Sequence, residues 1–153
     1  MNYKHTQIGY LMISITLAVL LLFIWTHIIS SAETPSVDSG SNFAITSVMA
    51  IIIWILSSFA TLQVKIDNKY IHIKFGYGIY QKKFLLNDIT TATKVKNKWY
   101  YGWGIRGWLW PKICIYNVSG FAAIEIKLKN GKTYRIGTDE PEKLGLAILD
   151  SIK

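Results

Sequence analysis

Two long apolar runs near the N-terminus dominate the pattern of hydrophobic and polar positions along this chain. The first, residues 8–30, has about 23 residues without Lys, Arg, Asp or Glu, which as a helix span about 34 Å at ~1.5 Å per residue. The second, residues 43–62, has about 20 uncharged residues, again enough for the ~30 Å hydrocarbon core of a bilayer. The pattern predicts a transmembrane helical hairpin formed by residues 1–62.

The basic residues indicate how this hairpin is oriented. Lys4 precedes the first run, residues 31–42 contain no Lys or Arg, and the other 16 basic residues follow the second run. Since Lys and Arg are enriched in cytoplasmic segments, both termini are predicted to be cytoplasmic and the polar loop external. In an alternative interpretation the first run is a signal peptide, cleaved at the small residues 30–32.

His27 is the ionisable residue within the first run. It lies near the end of that run beside Trp25, where amphipathic rings occupy the membrane interface, and the second run contains no ionisable residue to pair with it. The runs are therefore interpreted as an anchor and not as a transport pathway.

After residue 62 the apolar positions recur with a period of two, which is typical of half-buried strands. The predicted strand segments are residues 62–66, 71–75, 79–86, 90–96, 113–116, 121–129 and 132–136. Asn130-Gly131 is a type I′ hairpin signal between the last two segments. The period then changes to that of a helix, since Leu144, Ile148 and Ile152 share one helical face.

The start of this C-terminal helix carries its own signal. Asp139 precedes Glu142 by three residues, and Pro141 fits the first helical turn. The carboxylates are interpreted as helix-dipole partners and not as a metal or acid/base site. Six or seven short strands closed by one helix predict a pleckstrin-homology-like (PH-like) antiparallel β-barrel, capped by the helix, over residues 63–153 of a membrane-anchored α+β chain.

Composition and charge narrow the class of protein. The chain is 51% hydrophobic with a mean hydropathy of +0.27, which excludes disorder, and its single cysteine, Cys114, excludes a disulfide framework or a cysteine zinc site. Residues 63–153 hold 16 basic and 7 acidic side chains, a net charge of +9. A domain this basic beside a membrane is suited to an anionic lipid surface.

Residues 93–112 form the most unusual segment. They contain no acidic residue, and four of the six tryptophans fall in residues 99–110. Interfacial aromatic rings and basic side chains together favour contact with a membrane surface. The predicted lipid- or partner-binding residues are Lys94, Lys96, Lys98, Trp99, Trp103, Arg106, Trp108, Trp110 and Lys112. An alternative for Trp99 and Trp103 is that their rings cover one end of the barrel.

No catalytic, cofactor or metal site is predicted. Residues 102–107 spell G-x-G-x-x-G, but that motif binds a dinucleotide only between a strand and a helix, and here antiparallel strands surround it. His5 and His72 lack the spacing of metal ligands, and Cys114 has no identifiable base. Basic residues among aromatics also suit single-stranded nucleic acid, but the membrane anchor disfavours that partner.

Three segments carry a resemblance to a known family. Residues 99–106 (WYYGWGIR), 116–120 (YNVSG) and 137–142 (GTDEPE) occur in this order in a family of small bacterial membrane proteins with a PH-like domain, which this chain resembles over about residues 85–153. Residues 107–115 depart from it, being more apolar than the usual connection. The resemblance implies a bacterial inner-membrane location and the barrel fold, but no ligand. Recurring residues, interpreted as turn and packing devices or alternatively as a binding site, are Gly102, Gly104, Arg106, Asn117 and Gly120.

These observations predict a non-enzymatic interaction module. Its expected partners are the anionic inner leaflet or a membrane protein, including a second copy of the chain, and nucleic acid is not expected. The alternative is an assembly subunit of a membrane complex, for which the second run offers small side chains suited to close helix packing, from Thr46 and Ser47 to Ser58. An enzyme acting on lipid ranks third.

Overall fold

The computed structural model describes residues 3–32, 39–108 and 112–152, without the side chains of residues 30–32, 39–42 and 108. The strands are β1 (Tyr3–Ile8), β2 (Thr61–Ile66), β3 (Tyr70–Phe75), β4 (Tyr80–Leu85), β5 (Ile89–Lys96), β6 (Gly104–Trp108), β7 (Ile113–Asn117), β8 (Ala122–Leu128) and β9 (Thr133–Gly137). The α-helices are α1 (Tyr10–Ala32), α2 (Ser39–Ser58) and α3 (Pro141–Ser151). The chain is therefore α+β, as predicted.

The N-terminal apolar run forms α1. Residues Tyr10–Ile29 of this helix are long and apolar enough to cross a membrane, and none of that stretch is buried against the rest of the chain. The second run forms α2, where the apolar stretch Phe43–Ser58 is shorter. The two helices are in contact, and His27 Nε2 of α1 lies 3.1 Å from Thr46 Oγ1 of α2.

The helix limits differ from the predicted spans at the start of α1 and at the end of α2. Ile8 belongs to β1 and residues 61 and 62 belong to β2, so the strands begin closer to the helices than the hydropathy pattern indicated. Between the helices, residues 33–38 of the predicted polar loop lie outside the described residues.

The first sheet has the strand order β1-β2-β3-β4 and is antiparallel throughout. Its edge strand β1 precedes α1, whereas β2 follows α2, so both helices are inserted between two paired strands. No strand was predicted in residues 3–8, which precede and begin the first apolar run. They form a strand because Tyr3, His5 and Gln7 pair with Ile66, Val64 and Leu62.

Contacts of the His5 ring with two carboxylates connect β1 to the start of α3. His5 Nε2 donates to Asp139 Oδ1 (2.6 Å), and its Nδ1 lies 3.3 Å from Glu140 Oε2. Burial and the neighbouring Glu140 carboxylate raise the pKa of Tyr3 to about 12. The N-terminal strand is thus part of the β domain.

The second sheet has the strand order β5-β8-β9-β7-β6. All of its pairs are antiparallel except β7 and β9, which are parallel. β8 has β5 on one edge and β9 on the other, so β7 pairs with β9 and not with the strand that follows it in the chain. Among the described residues the strands form two open sheets and no closed barrel.

The main core lies between the two sheets and under α3. Ile71 and Phe75 of the first sheet belong to the same fully buried cluster as Ile126 and Ile136 of the second. Leu144 and Ile148 belong to it too, as α3 lies over β5 and β8. Pro141 is in the first turn of α3, as predicted, and the helix completes the core on one side.

Candidate functional site

The hydrogen bonds around Gly9 and Ala60 define one end of the β domain, here called the helix end. Gly9 N donates to Ala60 O (2.7 Å) where α1 begins and α2 has just ended. Gly76 N donates to Thr61 O (3.0 Å), so the β3–β4 turn lies at this end. A Cβ atom on Gly9 would lie 3.0 Å from Val118 O, so the β7–β8 loop lies here as well.

The aromatic segment reaches the helix end through the same loop. Asn97 N, directly after β5, donates to Phe121 O (2.6 Å), and Gly104, the first residue of β6, pairs with Asn117, the last residue of β7. Asn117 closes the loop, because its Nδ2 donates to Gly120 O (3.0 Å). Residues 97–104 therefore cross the second sheet at the helix end.

A short 3₁₀ helix, Trp99–Tyr101, forms the centre of this crossing. Tyr101 is buried with Ile113 and Ile115 in a second small core on the outer face of the second sheet. The Arg135 guanidinium lies 5.5 Å from the centre of the Tyr101 ring. Because Tyr101 points inward, the preceding residues of the turn face outward.

The helix end exposes large apolar and aromatic side chains from three separate segments. Trp99 is 78% exposed and Tyr100 44%, Tyr77 and Ile79 of the β3–β4 turn are 69% and 50% exposed, and Phe121 of the β7–β8 loop is 41% exposed. Together with the exposed Lys96 and Lys98 they are called the helix-end rim. Interfacial rings beside cations are the composition of a membrane-contact surface.

The charges of the rim stay available to a partner. Lys98 Nζ lies 5.6 Å from the centre of the Tyr100 ring, and the hydrogen bond with Tyr100 raises the pKa of Lys98. Neither Lys96 nor Lys98 forms an ion pair with any carboxylate in the described part of the chain. Both side chains therefore present positive charge at the helix end.

The structure brings together only part of the predicted set. Lys96, Lys98, Trp99 and the half-buried Trp103 lie at the helix end, whereas Lys94 forms an ion pair with Glu142 of α3.

The rest of the set follows β6 away from that end. Arg106 is exposed, and its Nε donates to Trp103 O (3.4 Å). Trp108 pairs with Ile113 and lies four residues beyond Gly104, about 13 Å along the strand at ~3.3 Å per residue. Lys112 precedes β7 at that opposite end. The Trp108 side chain and all of Trp110 lie outside the described residues.

Sequence reasoning missed the rim residues of the two loops, Tyr77, Ile79 and Phe121. Ile79 and Phe121 were predicted to begin strands, but they lie in the turns that precede β4 and β8. Nothing local in the sequence shows that these turns meet residues 97–104. The sequence did not predict that Tyr101 is buried while Trp99 and Tyr100 are exposed. Which of these adjacent rings is buried depends on the path of the chain across the second sheet.

A partly buried polar cluster on the second sheet contacts residues 97–104. Arg135 Nε donates to Glu125 Oε2 (2.8 Å), with the two side chains only 16% and 15% exposed. Arg135 Nη1 lies 3.5 Å from Asn97 Oδ1, and Asn97 is itself buried. This cluster fixes Asn97 and Tyr101 on either side of Arg135.

The described residues contain no group of three or more His, Cys, Asp or Glu side chains placed to hold a metal ion. Residues 102–107, the G-x-G-x-x-G sequence, run from the end of the 3₁₀ helix into strand β6. The structure therefore provides no helix N-terminus directly after this motif for a pyrophosphate group.

A comparison with models of known protein families gives no match to this chain, and a comparison with curated proteins gives none either. The resemblance of residues 99–106, 116–120 and 137–142 to small bacterial membrane proteins accordingly stays a prediction.

Proposed function

We propose that this chain is a non-enzymatic, membrane-anchored interaction module whose helix-end rim contacts an anionic lipid leaflet. The observation that carries the proposal is one of position: the exposed aromatic and basic residues of the rim lie where α1 and α2 leave the β domain. If α1 crosses a bilayer, this end of the domain faces the membrane surface.

The linkers support a close approach to the bilayer. Only Gly9 separates β1 from α1, and only residues 59 and 60 separate α2 from β2. Since β1 and β2 are paired, the β domain has two short attachments and little freedom to tilt away. The rim rings then reach the interfacial layer, and each rim lysine near an anionic leaflet contributes about 1 kcal/mol of attraction.

The proposal includes the finer architecture expected from the sequence. In it α1 and α2 form a transmembrane hairpin, the termini and the β domain are cytoplasmic by the positive-inside rule, and the two sheets with α3 are a PH-like domain in a bacterial inner membrane. Pairing of β1 with β2 supports the hairpin. Strand β1 leads into α1 and α2 leads into β2, so α1 begins and α2 ends at the same place on the β domain.

Depth measurements on the full chain in anionic nanodiscs test this proposal. In a Cys114→Ser background, a spin label is attached to Trp99→Cys, and a second sample carries it on Tyr77→Cys. The matched control is Asn130→Cys, in the exposed β8–β9 turn at the opposite end of the strands. Accessibility of each label to oxygen, which concentrates in lipid, is compared with accessibility to a water-soluble nickel chelate.

The labels at positions 99 and 77 are expected to favour oxygen, and the label at position 130 the nickel chelate. Equal, water-like accessibility at all three positions would refute leaflet contact. Low accessibility of the label at position 99 to both reagents would place the rim in a protein interface, which is the assembly alternative.

A further inference from the structure

The outer face of the first sheet, away from the core, carries a row of basic residues. Lys4, Lys65, His72 and Lys83 are direct partners across all four strands, so their side chains stand side by side on one face. In the adjacent row Lys74 lies between Gln63 and Gln81. None of these residues belongs to the helix-end rim.

This face is concave around His72. A cavity of about 220 Å³ is lined there by Gln63, Lys65, His72, Lys74, Gln81 and Lys83, among others. Adjacent strands are ~4.8 Å apart, so Lys65 and Lys83 flank His72 with their backbones about 10 Å apart. Lys74 lies diagonally from both, about 7–8 Å away.

In the described part of the chain, no carboxylate pairs with the cavity lysines. None of Lys65, Lys74 and Lys83 forms an ion pair with a carboxylate in the described ranges. The one carboxylate in the lining, Asp67, accepts from His72 Nε2 (2.7 Å) and from two backbone N–H groups. Those backbone N–H groups of Lys69 and Tyr70, with His72, lower the pKa of Asp67 to about 2, so it stays ionised and holds His72 in place.

Like charges directly opposite each other destabilise a sheet, whereas opposite charges across neighbouring strands stabilise it. A concave face with unpaired lysines on three neighbouring strands is therefore suited to an anion that neutralises several of them together. Lysine ammonium groups are point charges on flexible stems, and they converge on phosphate oxygens through charge-assisted hydrogen bonds.

We infer that this cavity binds a soluble anion carrying two or more phosphate groups, with Lys65, Lys74 and Lys83 as its ligands. Because the backbones of Lys65 and Lys83 are about 10 Å apart, the space between their side chains suits linked phosphate groups. Lys65, in the same row as Lys83, lies four residues of strand beyond Thr61, about 13 Å from the helix end. Lys74 lies nearer to that end, against Gly78. The distance of the row of Lys65 and Lys83 favours a ligand from solution over a lipid headgroup. The inference is independent of the function proposed for the rim.

The test uses the full chain in nanodiscs of neutral lipid, with pyrophosphate as the probe in a calorimetric titration at low salt. Saturable binding at one site is expected. The triple variant Lys65→Gln/Lys74→Gln/Lys83→Gln is expected to weaken it at least about tenfold, because charge-assisted hydrogen bonds are lost. The matched control changes net charge equally on another part of the domain, with Lys127→Gln/Lys129→Gln/Lys132→Gln, and is expected to change affinity less than about twofold.

Two results would overturn the inference. One is the absence of saturable pyrophosphate binding to the unmodified chain, and the other is equal weakening in both triple variants, which would indicate only general charge attraction.

The source of the ligand is tested by NMR of the His72 ring, assigned with His72→Gln. Its signal is expected to shift when pyrophosphate is added and to stay unchanged between neutral and anionic nanodiscs. A shift caused by anionic lipid alone would assign the cavity to a headgroup and overturn the soluble ligand.

Discussion

The partly buried pair of Arg135 and Glu125 offers the sharpest test of how residues 97–104 are held at the helix end. Replacing Arg135 with Met removes the donor 2.8 Å from Glu125 Oε2 and leaves a carboxylate that is only 15% exposed without its partner. Stranding one charge of a buried pair costs about 3–5 kcal/mol. The lost guanidinium contact with the Tyr101 ring, 5.5 Å from its centre, adds about 0.5–2 kcal/mol.

The double variant Arg135→Met/Glu125→Met separates these contributions. It removes the stranded carboxylate, so its cost is expected to fall below about 2 kcal/mol, most of it from the Tyr101 contact. The assay is urea unfolding of the full chain in detergent micelles, followed by fluorescence. Against a typical stability of about 5–15 kcal/mol, the loss in the single variant is readily measured.

A second readout connects this pair to the site. Tyr101 N donates to Lys98 O (3.0 Å) within the 3₁₀ helix, and its hydrogen exchange is expected to accelerate in the Arg135→Met variant. If the double variant lost as much stability as Arg135→Met and Glu125→Met lose together, the two charges would not be coupled and the prediction would be refuted. A single-variant loss below about 1 kcal/mol would refute it equally, since no stranded charge would then be present.

Two further predictions concern the first sheet. Gly76→Ala is expected to cost more than about 3 kcal/mol, because a Cβ there would lie 2.2 Å from Ser58 O at a φ of +44°. Gly131→Ala, at a φ of +78° with open space around it, is the control and is expected to cost about 1–2 kcal/mol in the same urea assay. Asp67 has a folded-state pKa lowered from 3.8 to about 2 by backbone N–H groups and His72, so its stabilising effect is complete above pH 3.8 and disappears as the pH falls through 2. The stability difference between the native chain and Asp67→Asn, measured by urea unfolding from pH 5 to 2, is expected to shrink across that window, and a constant difference would contradict this.

Much of the secondary structure could be predicted because its signals are local. The apolar run of α1, the alternation in β2, β3 and β8, the hairpin at Asn130-Gly131 and the Pro141 start of α3 each follow from a few consecutive residues. The predicted type I′ turn is wrong, because it requires a positive φ at both central residues and only Gly131 has one. Strand β1 could not be found in this way. Its polar residues become a strand only because β2, about 50 residues later along the chain, presents a free edge to them.

The same distinction between local and long-range information applies to the candidate site. The sequence by itself determined that aromatic and basic residues are concentrated in residues 93–112 and that an apolar run long enough for a membrane-spanning helix lies near the N-terminus. Only the tertiary structure decided that Trp99 and Lys98 lie with Tyr77 and Phe121 at the helix end while Lys112 lies at the other. The physical reason is that composition is a property of neighbouring residues, whereas a surface is assembled by hydrogen bonds and packing between segments distant in the chain.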